Sequence, residues 1–157
     1  MILEIKTAGD PVLKKVAEKV TKIDKRLRNL LDNMAETMYE TEGVGIAAPQ
    51  VGQSIRAIVV DTDKKRYDLI NPEIIYSEGS AMDTEGCLSC PDLFGEVERA
   101  EKIRVKYLTR FNKQKELEAE GLLARCIQHE VDHLNGRLFI DIAKNITKGK
   151  PPENKSK

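Results

Sequence analysis

The chain has 157 residues, enough for one domain with an ordinary hydrophobic core and no need of disulfide staples. Its 26 basic residues balance 26 acidic ones, so bulk charge points to neither nucleic acid nor an anionic membrane as the main partner and predicts only a soluble protein. No apolar run approaches the roughly 18 residues of a membrane span, and Met1 to Lys6 has neither the basic start nor the apolar stretch of a signal peptide. Three cysteines, an odd number without an export signal, argue against a disulfide framework and for a reducing compartment, so the expected location is the cytoplasm.

Asp10-Pro11 predicts a turn after a short N-terminal strand or coil. Asp24 is placed to cap a helix that carries Leu27, Leu30, Leu31, Met34 and Met38 on one stripe, the pattern of a helix packed against a core. That helix should end at Glu42-Gly43. The next segment, Gly43-Val44-Gly45-Ile46-Ala47-Ala48-Pro49-Gln50, is poor helix or strand interior, but it suits a backbone that must approach another group closely. It lacks the third glycine or the lysine of a phosphate loop, and it reads as a substrate-binding loop with Gln50 as its polar end.

β-Branched and aliphatic runs over Ile55 to Asp61, Tyr67 to Ile75 and Val97 to Tyr107, with a further short one at Leu117 to Ala119, predict strands. Without βαβ alternation, the expected architecture is α+β. Antiparallel or mixed sheets should surround a central helix, with the earlier helix packing the domain.

That central helix is predicted from Gly121 onward, where apolar residues at helical spacing run into His129-Glu130-Val131-Asp132-His133 and Gly136 acts as a stop. His129 and His133, the only histidines in the chain, fall one turn apart on the face shared by Leu122 and Cys126, so both imidazoles can hold one metal ion. Glu130 lies about 100° round the helix, where it can lean over the metal as a general base without being a ligand. Upstream, Glu85-Gly86-Cys87-Leu88-Ser89-Cys90-Pro91 is the other segment dense in candidate ligands. A Cys87 thiolate with two histidines would leave a fourth, open position for chemistry. A closed structural zinc site also fits the spacing, from the CxxC of Cys87 and Cys90 with the CxxH of Cys126 and His129. That arrangement leaves His133, Glu130 and Gln50 without tasks.

Three segments together, Gly43 to Gln50, Glu85 to Ser89 and Gln128 to Gly136, resemble the signature motifs of the peptide deformylase family in order and separation, and the resemblance covers roughly Asp10 to Asp141. It implies hydrolysis of the formyl group from N-terminal formyl-methionine of newly made proteins, with release of formate. Carried over, it implies that Cys87, His129 and His133 hold one divalent metal, with ferrous iron the expected native ion and zinc, nickel or cobalt the alternatives. Glu130 would be the general acid/base. The Gln50 amide and the Leu88 backbone N–H would stabilise the oxyanion. Val44, Gly86, Leu122, Cys126 and His129 would wall a methionine pocket, while the Gly45 backbone bonds the substrate. The implied partners are N-formylmethionyl peptides and nascent chains, with transient ribosome contact by a route other than a long C-terminal helix, which Pro151-Pro152 would break. No specific nucleic acid or membrane partner is implied. Asp132 is expected to partner Arg99 rather than the metal. The predicted domain is 1–142, with 143–157 a polar, disordered tail.

Overall fold

A computed structural model describes residues 1–149. After an N-terminal coil, Asp10 accepts a hydrogen bond from Val12 N and starts a single 3-10 turn at Pro11–Lys14. Helix α1, Lys25–Glu40, begins where expected, because the Asp24 carboxylate accepts from the otherwise unpartnered Leu27 N–H at 3.0 Å. Leu27, Leu31, Met34 and Met38 are buried along its stripe, and Leu30 lies at its half-buried edge.

Five strands form one sheet in the order β1-β2-β3-β6-β7: β1 Gly45–Ala47, β2 Ala57–Asp61, β3 Arg66–Glu78, β6 Lys102–Leu108 and β7 Gln114–Glu120. A second sheet has the order β4-β5-β8, with β4 Ala81–Cys87, β5 Cys90–Arg99 and β8 Lys144–Lys148. Every pairing between these strands is antiparallel. The alternation of side chains along β2 explains the layering. Ala57 and Val59 join the α1 stripe, whereas Ile58 and Val60 face the opposite way, into a cluster with Ala124, Ile127, Val131 and Leu134 of helix α2, Gly121–Leu134. The two helices therefore cover opposite faces of the five-stranded sheet, and β2, buried on both, reads as a continuous apolar run. At about 1.5–3 kcal/mol per buried aliphatic side chain, these two clusters are the main source of stability. The second sheet meets α2 through polar contacts, Cys87 with His133, Glu85 with His129 and Arg99 with Asp132, and buries a smaller apolar cluster of Leu13, Cys90, Val97, Leu138 and Phe139. The α+β expectation, with the histidine-bearing helix at the centre, is what the chain adopts.

Three local expectations are corrected, and one strand had no counterpart among them. The Gly43 to Gln50 segment is not all loop, because Gly45–Ala47 pairs with β2 before Ala48–Val51 turns as a 3-10 helix. The apolar run Val97 to Tyr107 is split between two sheets at Ala100. Gln128 holds that corner by accepting from Ala100 N–H and donating to its carbonyl, both at 3.0 Å. Strand β4 was not anticipated, since its residues Ala81 and Met82 are exposed and its end is glycine and cysteine. The segment 143–157 is not a free tail from its start. Lys144–Lys148 pairs with β5 at Leu93, Phe94 and Glu96, a strand held by backbone bonds with every side chain exposed, which leaves no pattern to read. Pro151 and Pro152 lie outside the described residues.

Candidate metal and catalytic site

Helix α2 and the β4–β5 hairpin bring the candidate ligands together. Cys87 closes β4 and reaches α2, where its Sγ lies 3.2 Å from His133 Nε2. One donor atom from each of Cys87, His129 and His133 falls within 4.8 Å of the others, the single such group of three or more among the described residues. Cys90 and Cys126 stand outside it. The Cys126 thiol instead donates to the Val44 carbonyl at 3.4 Å, so the closed structural zinc arrangement has no geometric support.

A carboxylate fixes one imidazole. Glu85 Oε1 lies 2.8 Å from His129 Nδ1, so that nitrogen carries the proton and Nε2 is left with its lone pair for a cation. Glu85 is in turn gripped by Arg99, through Nε and Nη2 at 2.9 Å each, and by Arg125 Nη1 at 2.7 Å. Burial pushes the Glu85 carboxyl up, but the hydrogen bonds from His129 and Arg99 outweigh it and bring it down to about 2. Burial lowers His129, yet the Glu85 bond and the nearby Glu130 charge leave it raised overall. His133 has no such partner: burial holds it at about 3, a neutral ring ready to ligate. The Cys90 hydrogen bond, burial and the Glu130 charge push the Cys87 thiol up. A thiol, two buried imidazoles and an adjacent carboxylate are what a divalent cation would compensate, so the donor set fits a metal of borderline softness.

Glu130, on the same helix, is buried, and its Oε1 has no hydrogen-bond partner. Desolvation pushes its carboxyl up to about 7. It lies against Gly45, where a Cβ would come within 2.7 Å of Glu130 Oε2 and 2.5 Å of Cys126 Sγ; only a glycine lets the β1 backbone run this close to those two side chains. Gln50 is buried too. Ala47 N–H donates to its Oε1 at 2.9 Å, which points the amide nitrogen at Ser89 Oγ, 3.1 Å, and Cys87 Sγ, 3.5 Å.

A cavity of about 420 Å³ opens over these groups. Val44, Gly45, Gln50, Gly86, Cys87, Leu88, Leu122, Cys126, His129 and Glu130 all line it; of the candidate ligands, catalytic groups and pocket residues only His133 does not. Val44 and Leu122, 42% and 56% exposed, form its mouth. The Asp132 expectation holds: its carboxylate accepts from Arg99 Nη1 at 2.6 Å, away from the metal group. Missed in the sequence were the duties of Glu85 and Arg125. Arg125 also donates to the Val97 and Ala81 carbonyls, tying α2 to the hairpin. A charged pair of such residues in a buried hairpin and an apolar helix face was the available signal.

Comparison with known proteins agrees with this geometry. Residues 2–149 match the Polypeptide deformylase family. A peptide deformylase of Halothermothrix orenii is 56% identical over 142 residues, covering 89% of this chain and 92% of that protein. One from Carboxydothermus hydrogenoformans is 51% identical over 147 residues, covering 94% and 97%. Among solved structures, peptide deformylase from Thermotoga maritima superimposes with a TM-score of 0.90 at 46% identity, covering 92% of this chain and 99% of that one. The Synechococcus elongatus enzyme in complex with actinonin gives 0.88 at 44%, covering 91% and 79%.

Proposed function

The chain belongs to the polypeptide deformylase family, and on that premise we propose how its residues divide the work of removing the N-formyl group from nascent peptides. It is a metal-dependent hydrolase of that class. Cys87, His129 and His133 would hold one divalent ion, with ferrous iron proposed as the native choice and zinc, nickel or cobalt as replacements. When bound there, the ion would supply Lewis acidity to the site. Glu85 keeps the His129 ring turned toward it.

Glu130 takes the proton of the attacking water on Oε1, the oxygen that has no partner in the protein, and returns it to the leaving amine. Gln50, its carbonyl tethered to Ala47, presents N–H to the developing oxyanion, and the Leu88 backbone N–H does so from the hairpin turn. The methionine side chain enters between Val44, Gly86, Leu122 and Cys126, while the Gly45 backbone bonds the peptide. The observation that carries this reading is the convergence of one sulfur and two imidazole nitrogens beside an unpartnered buried carboxylate.

Among the described residues no helix is long and apolar enough to cross a membrane, and we place the reaction in the cytoplasm, on formyl-methionyl chains leaving the ribosome. Contact with the ribosome is proposed as transient. The test is formate release from a formyl-methionyl tripeptide by protein prepared without oxygen and supplied with ferrous iron. Formate from that peptide and no reaction with the acetyl-methionyl control is the expected result. Cleavage of the peptide bond of an unformylated peptide would instead make the site that of a general metallopeptidase.

A further inference from the structure

Phe94 has no duty in the scheme above, yet it occupies a built position. It sits on β5 directly across from Gly86 on β4, and its backbone is paired on the other side with Thr147 of β8. Its ring lies flat in the space where Gly86 has no side chain: a Cβ there would meet Phe94 Cε1 at 2.8 Å and Cδ1 at 3.0 Å. The ring is half-buried and lines the same cavity as Leu122, Cys126 and His129, in which it is the one phenyl group. Held between two strands and pressed on a glycine, it has little freedom to leave that wall.

We propose that Phe94 is a specificity-determining residue whose ring edge contacts the thioether of the substrate methionine. This rests on the reading that the cavity receives that side chain. A wall of Leu, Val and Cys rewards any flexible apolar chain of the right length and so cannot distinguish a thioether from a methylene. A sulfur near an aromatic edge gains a contact that a methylene does not. Phe94 therefore accounts for selection of methionine over its carbon isostere.

The experiment compares kcat/KM for formyl-methionyl and formyl-norleucyl tripeptides, with ferrous enzyme, in the parent, Phe94→Leu, Phe94→Ile and Phe94→Tyr. The parent should favour methionine, although norleucine is the more apolar. The methionine-to-norleucine ratio should fall about two- to tenfold in the Leu and Ile variants and stay within about twofold of the parent in Tyr. A ring that merely buttresses Gly86 would lower both substrates together and leave the ratio unmoved, which would overturn the proposal. So would a parent that prefers norleucine, a result needing no variant to fold. Absence of formate from both peptides in the parent would instead overturn the deformylase reading on which this one stands.

Discussion

Two clusters of charge in this protein hold a carboxylate at the same acidity by different means. At the surface, Asp32 is half exposed and lies between Arg110, 2.6 Å away, and Arg66, 3.0 Å away. The Arg110 hydrogen bond, opposed by burial and helped by Arg66, holds its carboxyl at about 2. In the interior, Glu85 is also held at about 2, but there the largest effect is desolvation, which the His129 and Arg99 bonds must first overcome. Acidity alone therefore does not rank the two. The buried pair is costly to assemble and costlier still to break, and the exposed one is screened by water and salt.

The comparison breaks most visibly at Glu85. Replacing it with alanine leaves the buried Arg125 guanidinium without a carboxylate and Arg99 with Asp132 alone, and the expected loss is about 3–5 kcal/mol of unfolding free energy, read from urea melts. Glu85→Gln preserves shape and separates the two duties of the residue. It should weaken metal binding about ten- to hundredfold, as a chelator competition would show, because the His129 ring loses its charged anchor. Unchanged affinity would mean that the ring is oriented by packing alone, for instance by Phe139, whose ring centroid is 6.0 Å from that of His129.

Asp132 lies one step further out. Asp132→Asn should retain the metal, whereas His133→Ala should lose it; equal loss in both would make Asp132 a ligand. The smallest effect belongs to the surface cluster. The pKa of Asp32 is lowered, so its contribution is present above its ordinary value of 3.8 and disappears as pH falls through about 2. With its side chain 49% exposed, Asp32→Asn should cost less than about 1 kcal/mol at pH 7. The difference from the parent should vanish in melts near pH 2, and a difference that persists there would show that packing, not charge, was lost.

The same contrast between interior and surface decides how much could be read in the sequence. Helix α1, β2 and helix α2 bury defined faces, and their apolar periods of 3.6 or continuous runs announced them. Strand β8 is held by backbone pairing with every side chain exposed, and β4 buries only a charged residue, Glu85, so neither shows an apolar pattern. At the site, the candidate ligands, Glu130 and Gln50 were legible because their types and spacing are chemically unusual. The duties of Glu85, 44 residues from His129 in sequence, and of Arg125, 40 from Glu85, depend on how the hairpin folds over the helix. Phe94 was equally silent, because its place is defined by what Gly86 lacks.

The most direct test of the central claim is Glu130→Gln, examined for metal content and formate release on one anaerobic preparation. The account predicts one equivalent of tightly bound metal, as in the parent, with turnover of formyl-methionyl peptide reduced at least about a hundredfold. A variant that keeps its metal and still releases formate at the parent rate would show that the proton moves by another route. One that loses the metal would make Glu130 part of the binding set, and in either case the division between three ligands and one acid/base would be wrong.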